Sequence, residues 1–189
     1  MNECSQTRNR DPRIPSGITA IELLIGLAVL VIVALLAIPG SSMLIESYRL
    51  KAASSQLVDG LYLARSEAQN RGSTVKVCPS DDGRSCRTDG DWSHGWLVFS
   101  DGNDDGVVQE IELLEAFEAP GAHVRIVASG AAQKAAGFTS AGLVRDNGSA
   151  SGEFILCTEN SRAASRVIEV DSEGWVSLAS NDRLECETG

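Results

Sequence analysis

The chain has 189 residues and a formal net charge of −10, from 16 lysines and arginines against 26 aspartates and glutamates. Hydrophobic residues make up 43% and charged residues 22% of it, which is ordinary for a globular protein and excludes disorder of the whole chain. The surplus of negative charge repels nucleic-acid phosphates and anionic lipid. DNA is therefore not expected as a partner.

An apolar segment lies close to the N-terminus. Residues 23–38 carry no charged or strongly polar side chain, and the run that begins at Ile18 has about the 20 residues needed to span a hydrocarbon core. Because Arg8, Arg10 and Arg13 precede it, the positive-inside rule places the N-terminus in the cytoplasm. The sequence predicts a single-pass membrane protein with an exported C-terminal domain.

Glu22 is the unusual residue of this segment. A carboxylate inside a membrane-inserting helix is unfavourable, so its presence invites a functional explanation. The alternative is that Glu22 lies near enough to the interface to be solvated. A cleaved secretory signal is not favoured, because residues 37–40 do not form the small-residue pattern of its cleavage site.

The stretch PSGITAIELLIGLAVLVIVALLAIPG, residues 15–40, resembles the N-terminus of type IV pilins and of type II secretion pseudopilins. The resemblance implies cleavage between Gly17 and Ile18 by a prepilin peptidase, followed by methylation of the new amine. It also implies that Glu22 pairs with the Ile18 amine of a neighbouring subunit. The family usually has Phe and Leu where this chain has Ile18 and Ala20.

The predicted organisation is a leader at 1–17, a transmembrane helix at 18–38, the periplasmic half of a spine helix at 39–72 and a β-rich head domain at 73–189. Pro39 predicts a bend in the helix, because it lacks an amide hydrogen and crowds the preceding turn. Helical spacing of hydrophobic residues then resumes, at Met43, Leu44, Tyr48, Leu50, Leu57, Leu61 and Leu63. The sequence Asn70-Arg71-Gly72 is a helix-stop signal.

Eight short runs rich in β-forming residues follow, separated by Gly, Asp, Asn and Ser. They read TVKVC, GWLVFS, VVQEIELLEAF, HVRIVAS, KAAGFTS, GEFILC, RVIEVDSE and GWVSL. We therefore expect an α+β class and, from the resemblance, a type IV pilin fold with a long N-terminal helix on a mostly antiparallel sheet. Ser129 to Gly137 is expected to form a loop or a poorly ordered edge, and Asp146 to Gly152 a turn.

The stretch DGNDDGVVQEIE, residues 101–112, fits the EF-hand calcium-loop pattern through Asp101, Asn103, Asp105, Gly106 and Glu112. An EF-hand needs a helix on each side of this loop, whereas the preceding GWLVFS predicts a strand. A tight connection between two strands is therefore favoured, and the calcium loop stays a weak alternative.

Residues 75–106, VKVCPSDDGRSCRTDGDWSHGWLVFSDGNDDG, are similar to the GspH/FimT branch of minor pilins. In this light Trp92 and Trp96 are expected to anchor a helix-to-sheet core, and Gly95 to permit close approach of the chain. With Cys4 in the leader, four cysteines remain, and they allow three pairings.

The favoured pairing joins Cys78 to Cys86, the nearest in sequence, and Cys157 to Cys186, which would secure the C-terminal tail. Neither pair has the spacing of a zinc site, so no thiolate metal site is expected. His94 and His123 lie in no catalytic motif. The chain is thus predicted not to be an enzyme and to need no cofactor.

The family resemblance implies a minor pilin that helps to initiate assembly of a type IV pilus, at or near its tip, and that is carried into the extracellular filament. Its partners would be other minor and major pilins, the prepilin peptidase and the inner membrane. Two alternatives remain: a minor pseudopilin of type II secretion, and a DNA-receptor pilin of natural transformation. The DNA-binding group has a Gly-Arg-x-Arg pattern where this chain has Trp175 and Ser177.

Acidic clusters at residues 81–82, 101–105 and 110–118 are explained most simply as solvated faces that keep an exported domain soluble. The sharper alternative is a charged docking surface for a neighbouring pilin, because charge patterns decide partner choice.

Overall fold

The computed structural model describes residues 18–121, 123–144, 152–158 and 161–179. The chain divides into two compact units, Met1–Ser42 and Met43–Gly189. Helix α1, Ala20–Arg71, supplies most of the described part of the first unit and the start of the second. Pro39 and Gly40 are included in this helix.

The first unit is helical from Ala20 onward. The helix begins with a side-chain cap, in which the Glu22 backbone N–H donates to Thr19 Oγ1 at 3.3 Å. All residues from 18 to 34 are exposed. Within the described part of the chain, no helix combines the length and the apolar character needed to cross a membrane. The membrane crossing predicted at 18–38 stays a prediction.

In the second unit, one face of α1 is buried along its length. Its core residues recur every three or four positions, as an amphipathic helix requires: Leu50, Ala53, Leu57, Leu61, Ala64 and Ala68. Tyr48, which the periodicity also included, is exposed. The helix ends at Arg71, as predicted, and Gly72 follows with φ of 66°, a left-handed conformation that suits glycine.

Among the described residues, two four-stranded sheets cover this face. The first sheet has the order β3-β2-β1-β5 and the second the order β4-β6-β7-β8. The strands are β1 Val75–Pro79, β2 Gly95–Ser100, β3 Leu113–Glu118, β4 Val124–Gly130, β5 Ala136–Phe138, β6 Gly152–Thr158, β7 Ser161–Val170 and β8 Val176–Ala179. Every pairing between them is antiparallel. The predicted α+β class is confirmed, with two sheets where one was expected.

Several predicted boundaries differ from the structure, among them that of β7, which was predicted from Arg166 and begins at Ser161. The stretch 129–137, expected as a loop, contains the end of β4, a short 3-10 helix at Ala131–Gln133 and the start of β5. Ala132 is buried there against the core, which the small-residue composition did not reveal. The run VVQEIELLEAF is a strand only from Leu113, because residues 107–112 form the connection from β2. The turn at 146–152 falls mostly outside the described residues.

The core between helix and sheets is aromatic, as the tryptophans predicted. Trp92 and Trp96 are fully buried, and Trp92 packs edge-on against Phe154 with ring centroids 4.9 Å apart. Gly95 has φ of 113°, and a Cβ there would lie 2.5 Å from the Phe117 carbonyl oxygen. The predicted close approach of the chain at Gly95 is therefore confirmed.

Candidate functional site

The residues expected to direct assembly lie at the start of α1. Ile18 and Glu22 are both exposed, and Glu22 occupies the first helical turn. The sequence Thr19-Ala20-Ile21-Glu22 is a capping-box pattern, of which the structure shows the bond from the Glu22 N–H to the Thr19 hydroxyl. Gly17 lies outside the described residues, so cleavage after it stays a prediction, as does the intersubunit role of Glu22.

A disulfide-closed loop follows β1. Cys78 and Cys86 are bonded, with their Cα atoms 5.6 Å apart, so this predicted pair is confirmed. The Arg87 backbone N–H donates to the Pro79 carbonyl at 2.7 Å and closes the same loop a second time. The loop therefore has a fixed shape at the end of the first sheet.

Charged side chains organise this loop from the outside. Asp82 accepts backbone N–H bonds from Arg84 and Ser85, each at 2.8 Å, and these bonds hold the pKa of its carboxyl well below the ordinary value. Arg87 pairs with Asp81 at 3.1 Å and also with Asp89. The hydrogen bond from Arg87 lowers the pKa of Asp89 to about 2. Both carboxylates are thus charged at neutral pH.

Replacing Cys78 with serine is expected to lower the free energy of unfolding by about 2 to 3 kcal/mol, the loop-closure entropy of a nine-residue ring at 25 °C. Urea unfolding of the detergent-solubilised full chain measures this difference. The matched control is Cys4→Ser, because Cys4 belongs to the predicted leader. Equal stability of Cys78→Ser and the unmodified chain would contradict the expected stabilisation.

The structure describes only one cysteine of the second predicted pair. Cys157 is buried in β6 and is disulfide-bonded. Its predicted partner, Cys186, lies outside the described residues. The pairing of Cys157 with Cys186 therefore stays a prediction.

The acidic turn, defined as residues 101–112, connects β2 to β3 and has no flanking helix. Asp101 is fully buried, and its Oδ2 lies 2.5 Å from the ammonium of Lys76 on β1. The same oxygen accepts the Gly106 backbone N–H at 3.1 Å. Asn103 and Asp105 bond to each other's groups inside the turn. These residues act as turn-forming residues, as the strand-connection interpretation expected.

The calcium alternative gains no support from this geometry. The Lys76 ammonium lies 2.5 Å from Asp101 and 3.7 Å from Asp104, so a protein cation already pairs with the first ligand position of the pattern. Within the described residues, no three His, Cys, Asp or Glu side chains are grouped to hold a metal ion. Glu112, the twelfth position of the pattern, forms no ion pair with a described residue.

Calorimetry on the full chain is accordingly expected to detect no calcium binding tighter than about the millimolar range of weak extracellular sites. Lys76→Gln is the informative comparison, because it removes the internal cation and leaves the carboxylates in place. Micromolar binding to the unmodified chain that Asp101→Ala abolishes would show the calcium interpretation to be right.

Sequence reasoning missed two arrangements. Lys76 was not expected beside Asp101, since its position between Val75 and Val77 in β1 indicates only that it faces away from the core. The other is a junction between α1 and the β7–β8 hairpin, where Tyr62 donates to the Val176 carbonyl at 3.1 Å and Arg65 to the Glu173 carbonyl at 3.1 Å. His94 lies 3.1 Å from Asp91 and is half exposed.

Comparison of the folds shows what this architecture is similar to. FimU, a type IV minor pilin of Pseudomonas aeruginosa strain PAO1, matches in two crystal forms. One has a TM-score of 0.53 at 18% identity, covering 72% of this chain and 99% of that chain. The other has a TM-score of 0.55 at 19% identity, covering 73% and 95%. EpsH, the minor pseudopilin from the type 2 secretion system of Vibrio cholerae, has a TM-score of 0.50 at 12% identity, covering 71% and 99%.

These likenesses confirm the predicted pilin fold. No curated protein matches the sequence. The model of the family described as type II transport protein GspH matches residues 53–174, which include most of the buried face of α1, Trp92 and Trp96, and strands β1 to β7. Because that match covers more than half of the residues of this chain, the chain belongs to the GspH family.

Proposed function

We propose that this chain is a minor pilin that enters a type IV pilus at or near its tip and helps to initiate assembly. One observation carries the proposal: the chain combines a GspH-family domain with an N-terminal helix whose residues from 20 to 34 are exposed and mostly apolar. That helix has one carboxylate, Glu22, in its first turn. Exposed apolar residues at 18–34 need a cover, which lipid supplies before assembly and neighbouring helices supply afterwards.

In this proposal the leader 1–17 keeps the precursor in the inner membrane until a prepilin peptidase removes it and the Ile18 amine is methylated. Glu22 then pairs with the Ile18 amine of an adjacent subunit. Such a pair offsets two charges that an apolar surrounding would otherwise penalise. The protein takes no cofactor and performs no catalysis, and its partners are other pilins.

Intact-mass analysis of the membrane-extracted chain tests the processing step. The expected mass lacks residues 1–17 and carries up to one additional methyl group. Cells without prepilin peptidase provide the control and should yield the full precursor. A mature protein that retains Gly17 in normal cells would refute the pilin function proposed here.

A second candidate is a minor pseudopilin of type II secretion. The description of the matched family, and the likeness to EpsH, specifically favour it. Deleting the gene distinguishes the two functions: loss of surface pili with normal secretion supports the pilus, and loss of exported enzymes with normal pili supports secretion.

A further inference from the structure

The second sheet carries a row of apolar residues, here called the outer row, on the face that points away from α1. Backbone pairing places four residues side by side, one in each strand: Val127, Ile155, Val167 and Ala179. Phe154 and Ile168, their neighbours in sequence, belong to the core that the sheet shares with α1. Because side chains alternate between the two faces of a strand, the outer row faces away from that core.

Burial on this outward face is uneven. Val167 is 0% exposed and Cys157, on the same face, 2% exposed, yet both lie outside the two core clusters of the described residues. Val127, at the β4 edge of the outer row, is 41% exposed, and Glu169 and Arg125 beside the buried pair are exposed. A sheet face without a covering layer stays solvated. The cover over Val167 and Cys157 is therefore narrow and belongs to residues outside the described part of the chain.

The disulfide of Cys157 indicates which segment supplies this cover. Cys157 is disulfide-bonded. Of the other four cysteines, two bond to each other beside β1, which leaves Cys4 and Cys186 as candidate partners. Cys4 precedes the predicted membrane segment, whereas Cys186 belongs to residues 180–189, which directly follow β8 at the end of the outer row.

This tail is long enough to reach Cys157 across the outer row. Two strand spacings and two residues along the strand separate Ala179 from Cys157, about 12 Å in all. The seven residues 180–186 span up to about 23 Å when extended. Leu184 is the large apolar residue of the tail, and in an extended segment it shares a face with the cysteine two positions later. A bond to Cys157 therefore brings Leu184 beside the outer row.

We propose that residues 180–189 form a strap across the outward face of the second sheet, with Cys186 bonded to Cys157 and Leu184 covering Val167. Forming the bond releases two protons and two electrons from the two thiols, and a disulfide oxidant outside the membrane accepts them as its own disulfide becomes two thiols. The strap withdraws the outer row from contact with other proteins, and reduction of the bond releases it. It forms equally in a pilus subunit and in a secretion subunit, so it is independent of the proposed function.

Thiol labelling of the detergent-solubilised full chain, with Cys4→Ser, tests the strap. Val167→Cys and Ile168→Cys are matched probes, because both positions are 0% exposed and they point to opposite faces of β7. Deleting residues 180–189, together with Cys157→Ser, is expected to speed maleimide labelling of Val167→Cys several-fold and to leave Ile168→Cys unchanged. Labelling of Val167→Cys that does not change on deletion would overturn the inference.

Intramolecular cross-linking decides the case in which the deletion unfolds the domain and both probes label. In a full-length chain whose two strap cysteines are replaced by serine, Ile155→Cys and Leu184→Cys are expected to form a disulfide. The yield should be several-fold higher than that of Leu184→Cys with Ile111→Cys, which is 90% exposed in the acidic turn. Equal yields refute the strap, as does a bond from Cys157 to Cys4 in non-reducing peptide mapping of the unmodified chain.

Discussion

Replacing Trp92 with alanine is expected to lower the free energy of unfolding by about 3 to 5 kcal/mol, the usual effect of removing a fully buried aromatic side chain. Trp92 is fully buried in the core cluster that α1 shares with both sheets, and it contacts Phe154 of β6 edge-on. The neighbouring Asp91 bridges to Val127 of β4, so the same segment joins the two sheets. A cavity at Trp92 would therefore loosen the contact between the first sheet, the helix and the second sheet.

Chemical denaturation of the detergent-solubilised chain, followed by circular dichroism, measures this loss. Trp175→Ala is the matched control, because it removes the same side chain from an exposed position. We expect that control to lose no more than about 1 kcal/mol, the contribution of an exposed cation–π contact, which Arg65 makes with Trp175. Similar losses in both variants would contradict the assignment of Trp92 to the core.

Substituting Glu22 with alanine is expected to abolish incorporation of the chain into filaments while leaving the head domain folded. The variant removes one member of the proposed intersubunit ion pair and leaves a buried amine without a partner, an arrangement that is strongly unfavourable. The amount of tagged chain in sheared filaments, compared with the amount in membranes, measures the effect.

Glu22→Gln separates this role from helix capping. Glutamine serves in the capping box as well as glutamate does, but it carries no charge to pair with an amine. Under the proposed mechanism both variants fail to enter filaments. Recovery of incorporation in Glu22→Gln would show that Glu22 acts through the start of α1, near Thr19, and not through a charge pair.

Local patterns of the chain predicted its elements well. The spacing of Leu50, Leu57 and Leu61 identified the buried face of α1, and Gly72 marked its end, because these features depend only on neighbours in sequence. All eight predicted strands occur for the same reason. The disulfide between Cys78 and Cys86 could be predicted because only eight positions separate the two residues.

Features that depend on distant parts of the chain were not predictable. The split into two sheets follows from which strands pair, and β5 pairs with β1 although some 60 residues separate them. The ion pair of Lys76 and Asp101 requires the register between β1 and β2. Arg65 meets Glu173 across 108 positions of sequence. Edge strand β3 is shorter than the predicted run VVQEIELLEAF, because residues 107–112 form hydrogen bonds within the turn instead of pairing with β2.

Mass spectrometry of purified surface filaments tests the central claim most directly. If this GspH-family chain is a minor pilin, peptides from its head, such as residues 152–158 and 161–170, will be found in sheared pili. They will be far less abundant than those of the major subunit, and the N-terminal peptide will begin at Ile18. Pili that contain no peptide of this chain, from cells whose membranes hold the processed protein, would contradict the claim.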